Sequence, residues 1–284
     1  MITSTKRVRS SQGSIFTEAA GEGDKGTILL VMGATASMVW WPDSLIEALV
    51  AGGYRTIRFD HRDTGASSVL APGEVNYDLA ELRDDLFAIL DAYDVEAAHV
   101  VGLSLGGYVA QILALTHPAR VKTLTLIASE PLGVPYEGEG LPPGFMEHFG
   151  AMASLDWADA DAVTGFMMGI ARLSAGRRHD FDDVAVERRI RTEIARTENI
   201  QSAFNHSMIA GSLPTGASAA EITQPVLLIH GGADPIISAN AARTSKAIIP
   251  SSELLILPDL GHELVDADMA LFASAIITHC GKGA

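Results

Sequence analysis

The sequence predicts an α/β fold in which a mostly parallel central sheet carries helices on both faces and a helical cap is inserted late in the chain. Three observations predict it. Short apolar runs alternate with helically spaced segments from residue 27 to residue 128. That alternation stops after residue 130 and returns at residue 225. A Gly-x-Ser-x-Gly pentapeptide falls where one of the runs meets a helix.

Residues 27–32, Thr-Ile-Leu-Leu-Val-Met between Gly26 and Gly33, read as a buried strand, because a strand covered on both faces needs no polar alternation. A helix over 44–51 follows, with Asp43 as its cap and Gly52-Gly53 ending it through a positive φ. Residues 56–60 form the next strand. The spacing of Leu82, Leu86, Ile89 and Leu90 predicts a helix over 81–93. A strand over 99–102, a helix over 106–116 and a strand over 121–128 continue the pattern. Helical crossovers join parallel neighbours, so the sheet is parallel and covered on both sides.

From Pro131 to about residue 221 there is no strand pattern. A Pro/Gly-rich loop over 131–144 leads into helical stretches rich in Met, Ala and charge. The sheet resumes with 225–230, a helix over 239–248 and a last strand over 253–257. The economical division is a core of residues 1–130 and 222–284 with a helical cap, or lid, of residues 131–221.

Composition bounds the function. With 48% hydrophobic and 19% charged residues in 284, the chain has ample material for a packed core, which excludes a disordered protein. Its apolar runs fall far short of the ~18–20 residues of a membrane-spanning helix. Lys6, Arg7 and Arg9 are followed by polar Ser11, Gln12 and Gly13 rather than by the apolar stretch of a secretion signal, so a soluble cytoplasmic protein is expected, with no membrane partner. A formal net charge of −15 repels phosphate backbones and argues against nucleic acid. The one basic cluster, Arg177 to Arg191, is interspersed with acids and reads as a solvated helical face. Cys280 is the single cysteine, which excludes an intrachain disulfide and a cysteine-held metal; no metal or other cofactor is implied. Monomer and homodimer both stay open.

Gly102-Leu-Ser-Leu-Gly106 lies between a predicted strand and a predicted helix, the context that makes a common pentapeptide a nucleophile elbow. Outside that context the motif arises by chance in a Gly-rich chain. A serine hydroxyl is inert until a base takes its proton, so a histidine is needed, with an acid to hold its tautomer and stabilise the imidazolium. In this architecture both follow the serine, each in a loop after a late strand. Asp234, in Gly231-Gly-Ala-Asp-Pro235, follows the strand ending at His230, and His262, in Pro258-Asp-Leu-Gly-His262, follows the last strand. Alone, Asp234 reads as a turn residue and His262 as a surface histidine; their joint order and placement make Ser104, Asp234 and His262 the candidate catalytic triad. Glu130, after the strand over 121–128, is the rival acid. The remaining histidines lie on strands, in the insertion, in an early loop or near the tail.

A tetrahedral intermediate needs backbone N–H donors aimed at its oxyanion, each worth ~3–4 kcal/mol. Leu105, directly after the nucleophile, should supply one and Ala34, in the loop after the first long strand, the other, with Gly33 as its alternative. Gly33, Trp40, Phe145 and Met167 are expected around the substrate. The Met- and Phe-rich cap, with Met146, Met152, Phe166 and Met168, either lines an adaptable apolar pocket or packs as ordinary helix core. Trp40 and Trp41 either wall the acyl site or anchor the next helix.

With these residues in hand, the chain resembles the α/β-hydrolase superfamily along nearly its whole length. Val31-Met-Gly33, Trp41-Pro-Asp43, Arg58-Phe-Asp-His-Arg-Asp-Thr-Gly65, Ser67 and His99-Val-Val-Gly-Leu-Ser104 resemble more narrowly the aclacinomycin methylesterase-like branch, mainly over the first 110 residues. Most of the superfamily opens the oxyanion loop with His-Gly, whereas Met32 precedes Gly33 here, a departure that this branch shares. The resemblance implies a cofactor-free serine esterase acting on a small-molecule ester, a methyl ester among the options. A lactonase, thioesterase, perhydrolase or carbon–carbon bond hydrolase would use the same triad, and a ligand receptor on this fold would need none of it.

Overall fold

The computed structural model describes residues 2–11, 13–138, 140–209 and 217–283, so Gln12 and residues 139 and 210–216 lie outside the description. In chain order the strands are β1 (Ile2–Ser10), β2 (Gly13–Ala20), β3 (Thr27–Val31), β4 (Arg55–Phe59), β5 (Ala98–Leu103), β6 (Val121–Ile127), β7 (Val226–Gly231) and β8 (Ser252–Leu257). They form one sheet in the order β1-β2-β4-β3-β5-β6-β7-β8. From β4 to β8 every neighbouring pair is parallel, while β1 with β2 and β2 with β4 are antiparallel. The sheet is mostly parallel, as expected, and mixed only at one edge, where a hairpin adds its two antiparallel pairings. Nothing in the apolar-run reading marked that hairpin. Its second strand buries alternate residues, Ile15, Thr17 and Ala19, and a half-buried strand with Thr among its inward residues carries a weak sequence signal.

The helices are α1 (Asp43–Ala51), α2 (Leu79–Ala92), α3 (Leu105–Thr116), α4 (Pro143–Gly150), α5 (Ala160–Ser174), α6 (Asp183–Arg196), α7 (Asn240–Ile248) and α8 (Met269–Cys280). Alternation along β3 sends Leu29 and Val31 into a core with α2 and α3, and Ile28 and Leu30 into a second core with α1 and α8. Two local expectations are corrected. Asp43 is the first residue of α1 rather than its cap, and its carboxylate pairs with Arg58 at 3.1 Å; Pro42 holds the cap position. The positive φ that ends α1 belongs to Gly53 (94°), not to Gly52. Helix α2 starts earlier than its apolar spacing suggests, because Asp78 accepts from Ala80 N and Glu81 N while Glu81 reaches back to Asp78 N.

Between β6 and β7 stand α4, α5, α6 and a 3-10 segment, Ile200–Met208. Val163, Phe166, Met167, Met168, Ile190 and Ile200 give these helices a core of their own. No helix among the described residues is long and apolar enough to cross a membrane.

Candidate active site

Strand β5 and helix α3 meet at Ser104, whose φ of 51° and ψ of −118° lie outside the regions a non-glycine residue prefers, at a cost of about 1–3 kcal/mol. The surroundings hold it there. Ser104 N donates to Ile127 O at 2.8 Å, and Ser104 O accepts from Tyr108 N at 3.1 Å and from Ser129 Oγ at 3.0 Å. The glycines two residues away are dictated by contact: a Cβ on Gly106 would lie 2.1 Å from Val31 O, and one on Gly102 would lie 2.5 Å from the Gly106 backbone. Strand and helix thus approach as the pentapeptide suggested.

The chain brings Asp234 and His262 together from the loops after β7 and β8. Asp234 Oδ2 accepts from His262 Nδ1 at 2.7 Å, and Oδ1 accepts from Ile236 N at 2.8 Å and Ile237 N at 2.9 Å. His230 Nε2, which donates to Ile237 O at 2.8 Å, stands 3.4 Å from the same Oδ2. Burial opposes ionisation of Asp234, yet the hydrogen bonds from His230 and His262, the charge of His262 and the Ile237 amide outweigh it and hold the carboxyl well below the usual aspartate range. Its ring partner is also tied to the cap, since His262 N donates to Ser174 O at 2.8 Å at the end of α5. Glu130, the rival acid, accepts instead from Tyr136 Oη at 2.6 Å.

Ser104 and His262 line one apolar cavity of about 550 Å³ between sheet and cap. Gly33, Ala34, Trp40, Phe145 and Met167 line it too, so all four expected pocket residues lie on its wall. Leu105 N opens α3, where the first amides of a helix have no acceptor within it. Of the other cap candidates, Phe166 and Met168 pack into the cap's own core with Met152 against it, and Met146 is 62% exposed. Trp41 is fully buried beneath α1, as an anchor. Phe149, Phe181 and Leu264 line the cavity without having been singled out by their sequence.

The loop after β3 is held by groups that sequence reasoning missed. Glu193 of α6 accepts from Ser37 N at 3.2 Å and Ser37 Oγ at 2.7 Å, and Arg196 donates to Asp60 Oδ2 at 2.8 Å while Asp60 Oδ1 accepts from Met38 N at 3.0 Å. Burial pushes the Glu193 carboxyl up to about 7, against the pull of its Ser37 hydrogen bonds. No local pattern announces such pairs, because their partners lie as far as 156 residues apart.

A model of the alpha/beta hydrolase fold matches residues 26–267. Rhodomycin D methylesterase DnrP of Streptomyces peucetius is 31% identical over 290 residues, which cover 97% of this chain and 97% of that protein. The 2-hydroxymuconate semialdehyde hydrolase of Pseudomonas sp. (strain CF600) is 26% identical over 265 residues, or 88% and 84% of the two chains. Among solved structures, an esterase from Rhodococcus sp. ECU1013 superposes with a TM-score of 0.79 at 21% identity, covering 99% of this chain and 100% of that one. The likeness to methylesterases, read first from the opening 110 residues, thus runs the length of the chain. Sheet order, elbow and matching residues agree, and the chain belongs to the α/β-hydrolase fold family.

Proposed function

We propose that this chain is a carboxylic-ester hydrolase that works through an acyl-serine intermediate. The observation that carries the reading is the His262–Asp234 hydrogen bond of 2.7 Å beside a strained serine, with Ser104 and His262 opening on the same apolar cavity. Ser104 Oγ attacks the ester carbonyl as His262 Nε2 takes its proton, and the new Oγ–carbon bond leaves a negative oxygen that Leu105 N–H and Ala34 N–H stabilise. Collapse breaks the carbon–alkoxy bond, and the alcohol departs with the proton from His262. Water then attacks the acyl-serine with His262 as base, and the proton returns to Ser104 as the acid is released. Asp234 keeps the Nδ1 proton in place and offsets the imidazolium charge.

The cavity size and its lining of Trp40, Phe145, Phe149 and Met167 favour a moderately large apolar ester. The name of the relative that matches over the full length supports a methyl ester. A second reading is hydrolysis of a carbon–carbon bond by the same triad, and the match to a 2-hydroxymuconate semialdehyde hydrolase over 88% of the chain favours a substrate other than a methyl ester. Residues 131–221 act as the lid in either case, and a cytoplasmic location belongs to the same proposal.

Treatment with a fluorophosphonate, peptide mapping and a repeat on His262→Ala test the mechanism without presuming a substrate. An adduct on Ser104 that depends on His262 is expected; no adduct overturns the reading. Rates on matched methyl esters, lactones, thioesters and β-diketones then separate the two readings, and a preference for acetyl over all larger acyl groups would count against an apolar substrate.

A further inference from the structure

The loop that leaves β3 carries two histidine contacts from different parts of the chain. His61 Nε2 stands 2.9 Å from Met32 O, at the start of the loop. His206, from the 3-10 segment of the cap, accepts at Nδ1 from Thr35 N at 3.0 Å and donates from Nε2 to Arg62 O at 2.8 Å. The two rings meet edge to face at 5.8 Å, both buried. Arg62 is fixed in turn by Asp85 through hydrogen bonds of 2.6 and 2.8 Å. Accepting at Nδ1 requires a neutral ring with its proton on Nε2. Burial favours that form by lowering the pKa of His206.

Thr35 takes a φ of 63°, a left-handed conformation costly for a β-branched residue. It persists only where something outside the residue holds it, and the acceptor held to its N–H belongs to His206. Fixing Thr35 N fixes the plane of the Ala34–Thr35 peptide and therefore the ψ of Ala34, whose N–H is the proposed oxyanion donor.

We propose that His206 is a positioning residue of the oxyanion hole, through which the cap sets the geometry of the loop that carries Ala34. It rests on the ester-hydrolase reading above. The cap then does more than enclose the substrate: with the 3-10 segment displaced, Thr35 loses its acceptor and the hole loses one of its two donors. The hydrogen bonds of His206 run to Thr35 and Arg62 and those of Asp234 to His262, Ile236 and Ile237, so the nucleophile and its base keep their own ties in that state.

The test compares His206→Phe, which lacks the acceptor but keeps the ring shape, with His206→Asn, whose Oδ1 can take the place of Nδ1. Kinetics use p-nitrophenyl butyrate, and phenylboronic acid reports the tetrahedral state at Ser104. His206→Phe is expected to lower kcat by about 10-fold or more with KM within about twofold, and to weaken the boronate in step, because the lost interaction acts on the oxyanion. His206→Asn is expected to recover most of both. If His206→Phe does not fold, the smaller His206→Leu replaces it as the variant without an acceptor. An unchanged kcat in the folded variant, or an Asn variant as impaired as the Phe variant, overturns the inference alone. A wild-type protein that neither turns over the ester nor labels at Ser104 overturns the hydrolase reading and this inference with it.

Discussion

Asp234 divides its carboxylate between two tasks: Oδ2 faces His262 Nδ1 at 2.7 Å, while Oδ1 accepts two backbone amides, those of Ile236 and Ile237. Asp234→Asn would present an N–H to Nδ1 and favour the wrong tautomer of His262, so kcat for ester cleavage should fall by about 10⁴-fold with the fold intact. Steady-state rates beside a circular-dichroism melt check this. The folded-state pKa of Asp234 is depressed, so its contribution to stability is present above the ordinary aspartate value and lost as pH falls through the folded one. The stability gap between the wild type and Asp234→Asn should therefore narrow below about pH 4.

Glu193 has the opposite sign. Its folded-state pKa of about 7 exceeds the ordinary 4.5, so its contribution to stability is fully present below the lower value and fades as pH rises through 7. The shift corresponds to about 3 kcal/mol. Glu193→Gln keeps an acceptor for Ser37 and removes the charge, so its melting temperature should gain on the wild type between about pH 4.5 and pH 7. Parallel melts of the two proteins across that window decide it; a constant difference would show that Glu193 titrates normally.

Gly106→Ala should destabilise the native state severely. The added Cβ would lie 2.1 Å from Val31 O and 2.5 Å from Met32 O, and backbone carbonyls cannot swing aside as a side chain can. A loss of at least about 3 kcal/mol is expected, read as insoluble expression or a lower denaturation midpoint.

Phe145→Ala should separate stability from selectivity. Phe145 is 1% exposed yet lines the cavity, so truncation costs about 3–5 kcal/mol and opens space beside the substrate. Relative kcat/KM across a series of methyl esters should move toward bulkier acyl groups, whereas a uniform fall would show that the residue only supports the cap.

Much of the scaffold was legible because it is locally encoded. A run such as residues 27–32 states its own burial, and the pentapeptide at 102–106 states the sharp turn it occupies. That Asp234 and His262 would meet from the loops after the last two strands was legible through chain order. The β1–β2 hairpin was not, because its inward face mixes Ile15 with Thr17, and neither were His206, Glu193 and His230, whose roles arise from partners that only folding brings near. Within the cap, Met167 was expected at the cavity and lines it, yet it also packs with Met168 in the core of the cap helices, a double role that helical periodicity does not reveal.

The separate apolar core of the cap bears on how this scaffold diversifies. Phe145, Phe149, Met167 and Ile170 face the cavity from α4 and α5, while the polar ties to the β3 loop come from α6 and the segment after it. Evolution, or a designed library, can therefore vary the first set to reshape the cavity while the second set keeps the loop after β3 in place.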